Sequence, residues 1–373
     1  MNPYGFVRLS GGGPVREAVR FHDRFEGVSG RISCKLTTRT ALFVPKYREG
    51  SADRARMHET LEMCRDHTGR PMVPGTSLKG AIRAVVEAAS NSCFTLPNRL
   101  AYERQTVSYG LPREFQSCED VGALCAACRL FGMLNRGKVF SGNVSVQDAV
   151  AQSGYQTRQF TLAVLSTPKP RHRYFYSTKP EDPIPQIRGR KFYYHRPQGP
   201  RMRAQKDGQN KTVEAVLPGA FFTFEVEYNN LAEAGLSLLL FGLVLWDDTC
   251  HKVGMGKPIG MGSAKIEVTA LTALDRQLRY RQWGGGWREP LTDKALTDFL
   301  SARVDGYRNG MTDNLQDLHR ILRWDENAPD VINYPDQQWF KSNPKTPLEG
   351  AQPDPRVRCR DGGLYERPIP AFG

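Results

Sequence analysis

Residues 71–89, PMVPGTSLKGAIRAVVEAA, decide the reading of the chain, because a turn and a helix start stand side by side in it. Pro74 and Gly75 set the turn, Thr76 or Ser77 can cap the first turn, and apolar residues recur at Leu78, Ile82, Val85 and Val86, the spacing of one helical face. The first turn of such a helix presents backbone N–H groups beside Ser77 and Lys79, an arrangement able to hold a phosphate; an ordinary capped helix with a solvated lysine is the plainer alternative.

Outward from this helix the pattern is mostly strand. Residues 28–45 alternate apolar and polar after a Ser29-Gly30 turn. So do residues 140–150 and, more strongly, 214–228. Residues 232–245 read as a buried helix and 262–269 as a further strand. Strand, helix, strand, long insertion, strand, helix, strand is the order of a ferredoxin-like (RRM-like) α+β unit carrying an inserted arm. The expected organisation is therefore an N-terminal half over 1–154, a basic and aromatic insertion over 155–213, a C-terminal half over 214–299, and an extension over 300–373 that docks on a neighbour or stays mobile, with one amphipathic stretch at 315–322. The 25 prolines and 35 glycines exclude a bundle of long helices.

The 52 Lys and Arg against 39 Asp and Glu leave a formal charge of +13, suited to a polyanionic partner. No apolar run is long enough to span a bilayer, so a cytoplasmic protein with no membrane partner is expected. In that setting the eight cysteines read as ligands or buried thiols. Cys125-Ala-Ala-Cys128 is a knuckle, Cys118 lies just before it, and Cys93 is placed to be a fourth ligand. Four thiolates suit a structural zinc ion; His58, His67 or Cys64 could replace Cys93. This zinc-bearing insertion occupies about residues 90–130.

Two further segments point to a nucleic acid. Residues 169–203, KPRHRYFYSTKPEDPIPQIRGRKFYYHRPQGPRMR, interleave rings with cations, as a single-stranded site requires: bases stack on the rings and phosphates meet the guanidinium groups. The alternative is that the rings pack under a loop while the charges face water. Gly254-Met255-Gly256-Lys257-Pro258-Ile259-Gly260-Met261-Gly262 lets backbone N–H groups approach phosphates. It matches neither a Walker loop nor a dinucleotide fingerprint, and a tight structural turn reads equally well.

Together these motifs resemble the RAMP superfamily of CRISPR-associated proteins. The matching residues are Val73-Pro74-Gly75-Thr76-Ser77-Leu78-Lys79-Gly80-Ala81-Ile82-Arg83, Cys125 to Gly132, Ser141-Gly142-Asn143, and Gly254 to Gly262. The opening Pro3 to Leu9, Phe21 to Phe25 and Arg188 to Tyr193 are similar to a type III-D-like branch of type III effector backbone subunits. Type VII systems also resemble that branch. The resemblance covers roughly residues 1–270. It implies a ferredoxin-like palm, a zinc-bearing insertion and a β-hairpin thumb pressed between nucleotides of a guide RNA (crRNA). Copies would stack as a filament beside other effector subunits, and the guide would pair with target RNA. Carried over residue by residue, Ser77, Lys79 and Arg83 hold guide phosphates with Gly254, Gly256, Lys257, Gly260, Met261 and Gly262. Arg171, Arg173, Arg188, Arg190, Lys191, Arg201 and Arg203 belong to the thumb.

Relatives that cleave their target carry an aspartate before the Pro-Gly motif. By spacing that position falls near Glu59, with Asp53 and Asp66 as further candidates and Mg2+ or Mn2+ as the metal if the chain cleaves. A non-cleaving scaffold whose complex recruits a separate nuclease is the expectation. A target slicer and a histidine-dependent guide-processing endoribonuclease are the alternatives.

Overall fold

The computed structural model describes residues 2–46, 58–94, 100–102, 105–107, 109–165, 173–204, 206, 208–335 and 337–348. Asp53, Arg171 and the end of the C-terminal extension lie outside these.

The expected alternation in 28–45 produces strand Val28–Thr38, which buries Ile32, Cys34 and Leu36. It pairs antiparallel with Phe221–Leu231 on one side and Ser263–Ala273 on the other. The sheet continues from Phe221–Leu231 through Val144–Val146 and Ala149–Ala151 to Met72–Val73, and ends beyond Ser263–Ala273 in His251–Lys252. Every neighbouring pair in it is antiparallel. Helices Gly75–Ala89 and Glu233–Val244 form the apolar layer over it. Arg31, reaching Glu225 at 3.2 Å and Glu227 at 3.0 Å, marks the polar alternate positions of the strands.

Four expectations about these elements change. Residues 214–228 are not one strand: Lys211–Val216 and Phe221–Leu231 lie in different sheets, because Pro218 and Gly219, the latter at φ +89°, turn the chain. Residues 140–150 divide into Val144–Val146 and Ala149–Ala151, and Asp148 between them turns its carboxylate to the Gly75 amide at 2.7 Å. Neither Thr76 nor Ser77 caps the helix; Pro74 is its N-cap residue. Over residues 293–322 the chain packs onto the core instead of forming a tail. Helix Asp293–Arg308 crosses the expected boundary at 299 and packs on Glu233–Val244. Helix Asp313–Leu322 buries Leu315, Leu318, Ile321 and Leu322. The reason is exposure: Glu233–Val244 is apolar around its circumference and needs cover on the side away from the sheet.

The insertion over 155–213 leaves and returns through the antiparallel pair Thr157–Thr161 and Lys211–Val216, with Glu59–Leu61 parallel to the latter. The described part of the basic segment does not project as a hairpin arm. Arg190–Tyr193 pairs with Tyr4–Val7, and Phe175 packs with Trp339 and Phe340 at ring separations of 6.1 and 5.5 Å. The rings are better satisfied against each other than in water.

Glu87 is the junction of these parts. It accepts from Arg83 at 2.8 Å and from Arg190 at 3.2 Å, and Arg190 is only 8% exposed. Glu87→Gln leaves a buried guanidinium without its counter-charge and should lower unfolding free energy by about 3 kcal/mol, read as a shifted urea midpoint.

Candidate nucleic-acid interface and thiol cluster

The cysteine reading holds in full as geometry. Cys93, Cys118, Cys125 and Cys128 are all buried, and their sulfurs lie within 4.8 Å of one another. Cys93 follows the end of helix Gly75–Ala89, and Cys125 leads into the short helix Ala126–Phe131. Sulfurs at tetrahedral positions around an ion with bonds of about 2.3 Å stand about 3.8 Å apart; Cys93 and Cys128 are separated by 3.7 Å. The surroundings favour negative sulfur: the Cys125 amide donates to the Cys118 sulfur at 3.3 Å and Arg83 reaches the Cys128 sulfur at 3.9 Å. Hydrogen bonds from Cys118, then Cys128 and Cys93, hold the Cys125 thiol well below the ordinary range. The Cys128 thiol is pushed up by Cys118 and Cys125. Four buried sulfurs so placed could hold one metal ion. His58 and Cys64 do not substitute for Cys93: His58 bonds Asn210 and Thr212, both at 2.9 Å.

The start of helix Gly75–Ala89 is more occupied than its sequence suggests. Asp148 takes the Gly75 amide, and the Ser77 and Leu78 amides turn back to the Pro74 carbonyl. The Thr76 amide has no acceptor among the described residues. Lys79 donates to the Val144 carbonyl at 2.9 Å, and burial, then Arg83, lowers its pKa. Arg83 braces the insertion, donating to the Gly132 carbonyl at 3.1 Å as well as to Glu87.

In the glycine-rich loop, Gly254, Gly256, Gly260 and Gly262 all have φ between +75° and +97°, where side chains are disfavoured. A Cβ on Gly262 would sit 1.9 Å from the Val253 carbonyl oxygen. The amides of Met255, Ile259, Gly260, Met261 and Gly262 bond to Phe43, Gly256, Lys257, Gly256 and Ala41. Those of Gly256 and Lys257 are left without an acceptor among the described residues. Beneath the loop, burial, then Lys257, pushes Lys252 down to about 7; its ammonium donates to the Met261 carbonyl at 3.1 Å. Burial also lowers Lys257.

One run of paired backbone joins the two turns. Met255 bonds Phe43, Cys64 bonds Val44, and Met72 bonds Cys64, leaving only Val73 and Pro74 before the helix. Three such rungs span about 15 Å.

The basic segment contributes less than expected. Arg190 donates to the Ser92 and Cys93 carbonyls at 2.5 and 2.8 Å, and Arg188 to the Ser177 and Tyr174 carbonyls. Lys191 lies 3.7 Å from the Tyr4 ring centre. Arg201 meets Asp330 at 3.3 Å, and Arg203 bonds the Thr161 carbonyl through its amide. Arg173 is half-buried, donating to the Asp182 carbonyl at 3.4 Å. Of the acids, Glu59 pairs with Lys211 at 3.2 Å. Asp66 accepts from Thr68 and Arg70 within its own turn, held down to about 2 by the Thr68 hydroxyl first. Among the described residues, the group of three or more His, Cys, Asp or Glu side chains placed to hold a metal ion is that of the four cysteines.

The segment that sequence reasoning missed is Arg276–Arg288, RQLRYRQWGGGWR. Its signal, rings interleaved with arginines, is the one applied to 169–203.

A family model described as the RAMP superfamily matches residues 35–265. A search of curated proteins finds no match to the chain. No helix among the described residues is long and apolar enough to cross a membrane.

Elemental analysis should find one ion per chain bound by the four sulfurs. Cys125→Ser should lose it and lower the melting temperature, whereas Cys34→Ser, at a buried thiol outside the cluster, should keep it.

Proposed function

The chain belongs to the RAMP superfamily, and on that premise we propose that it is a guide-RNA-binding backbone subunit of a type III-D-like or type VII CRISPR ribonucleoprotein. Other effector subunits and further copies of the chain would assemble with it along the guide as a filament, and target RNA would pair with the exposed bases. The order Ser263–Ala273, Val28–Thr38, Phe221–Leu231, Val144–Ala151, with a helix after the first and third strands in sequence, is what a ferredoxin-like palm would give. It supports that assignment.

The observation that carries the reading is the backbone run between the glycine-rich loop and the start of helix Gly75–Ala89. Amides at Thr76, Gly256 and Lys257 without an acceptor among the described residues, with Lys79 and Lys257 beside them, suit the phosphates of a strand crossing a few nucleotides. Ser77 lies in the same helical turn. The thiol cluster is assigned to structural zinc on its four-sulfur donor set; the ion would fix residues 90–130 against the helix end and supply no chemistry to the RNA.

A scaffold is favoured over a slicer because Glu59 and Asp66 are each engaged by a cation of their own loop or ladder, leaving neither poised for a metal. Incubation of the assembled complex with labelled complementary RNA and Mg2+ or Mn2+ should leave the RNA intact. Cleavage abolished by Glu59→Ala or Asp53→Ala would establish a slicer instead, with any separate nuclease dispensable.

The purified chain should carry RNA, seen as a raised 260/280 absorbance ratio and a band on a denaturing gel; its absence would sink the proposal. Lys257→Ala should weaken RNA binding and reduce the salt slope by about 0.7. A bound phosphate raises the Lys252 pKa from about 7, so binding takes up a proton. Affinity should then fall as pH rises from neutrality toward about 9, and Lys252→Met should flatten that profile.

A further inference from the structure

At the other end of strand Val28–Thr38 from the glycine-rich loop lies an open cleft of about 500 Å³, a volume typical of sites for small ligands. Its floor is made by strand ends, Ser29-Gly30 and Tyr228-Asn229, and its wall by the segment Arg276–Arg288. Eleven residues of strand separate the cleft from the glycine-rich loop, about 35 Å; on its other side the cleft adjoins the helix start, since Val144 on its lining accepts from Lys79.

We infer that this cleft receives an unstacked nucleotide of single-stranded RNA, with Tyr280 and Trp287 as stacking faces and Arg276 and Arg279 as phosphate partners. The inference shares with the proposed function only the premise that the chain meets single-stranded RNA.

The wall is a built feature. The Asp275 amide bonds the Gly286 carbonyl at 2.6 Å, and the Arg288 amide bonds Ala273 at 3.0 Å. The Asp275 carboxylate accepts from the Leu278 amide and from Arg288, both at 3.0 Å. Leu274 and Trp287 form an antiparallel bridge. Gly284 and Gly286, at φ +72° and +105°, allow the return. Trp287 is thereby held in place while 44% of its surface stays open, and Tyr280 is 80% exposed. Rings of this size left in water on a fixed turn are costly unless a partner covers them.

Charge selects the partner. Arg276 bonds Ser29 and lies 4.0 Å from the Phe25 ring centre, which fixes its guanidinium at the cleft without neutralising it. Arg279 adds a second cation. The acid on the lining, Glu227, is already engaged by Arg31 at 3.0 Å. Asn143, also on the lining and 6% exposed, donates its amide to Asn229 and Arg20 and leaves its carbonyl oxygen without a hydrogen bond. Cations with open aromatic faces fit the phosphate and base of one nucleotide; an acidic peptide would use the cations and leave the rings bare.

The test uses the full chain, a fluorescein-labelled uridine octamer read by anisotropy, and the same octamer carrying 4-thiouridine for photocrosslinking mapped by mass spectrometry. Crosslinks should fall within residues 276–288. Tyr280→Ala, at an exposed site that tolerates truncation, and Trp287→Ala should each weaken binding roughly fivefold to a hundredfold, with Trp287→Phe restoring most of it. Unchanged affinity in both alanine variants together with no crosslink in 276–288 overturns the inference. So does unchanged RNA affinity with altered self-association in sedimentation, which would make the face a contact between proteins. The two proposals fail separately: a chain purified without RNA that still crosslinks at Trp287 removes the guide-binding reading alone. Co-purified RNA with an inert Tyr280 and Trp287 removes this one alone.

Discussion

The structure hangs on a carboxylate shared between two guanidinium groups. Glu87, in the last turn of helix Gly75–Ala89, holds Arg83 from its own helix and Arg190 from the long insertion. Arg83 continues to the Gly132 carbonyl and the Cys128 sulfur, and Arg190 to the Ser92 and Cys93 carbonyls. Burial lowers the Arg190 pKa and Glu87 opposes the shift, so the acid offsets part of the cost of burying a charge that arginine keeps. Through this junction the helix that starts at the proposed RNA surface, the thiol cluster and the insertion are kept in one fixed relation.

That relation explains why the basic segment 169–203 misled. Composition shows that arginines and tyrosines alternate; it does not show what lies opposite them. Arg190 faces Glu87 and two carbonyls, Arg196 faces Asp330, and Tyr176 and Tyr193 face Tyr4. Those partners come from residues 4, 87 and 330, too far away in sequence for any local pattern to announce them. Where the deciding contacts are local, the reading was sound. The Val28–Thr38 alternation and the Leu78, Ile82, Val85, Val86 face rest on period, and the buried helix at 233–244 on a run apolar all round. The four cysteines came together because thiol chemistry, not topology, was the guide.

Boundaries failed for a related reason. A helix such as Glu233–Val244, apolar around its circumference, demands a second cover, and its own sequence cannot say which segment supplies it. Helix Asp293–Arg308 does, with Trp246 donating to the Arg308 carbonyl at 2.9 Å. Asn314 then closes the neighbouring helix by donating to the carbonyls of Ala88 and Ala89 at 2.7 and 3.0 Å, so the C-terminal helices complete the apolar layer over the sheet.

With so many arginines spent internally, the net charge of +13 overstates what a polyanion meets at any one place. A guanidinium bonded to carbonyls or a carboxylate has already exchanged its water for protein and gains less from a phosphate. The cations that keep most to gain are those held in place without an acid. Lys257 qualifies at the glycine-rich loop, where burial has lowered its pKa and a phosphate would restore its charge. Arg276 qualifies at the far end of the sheet, fixed by a hydroxyl and a ring instead of a carboxylate. On the two proposals, affinity for a nucleic acid should therefore be concentrated at the two ends of strand Val28–Thr38, while arginines of the conspicuously basic insertion are engaged with the protein itself.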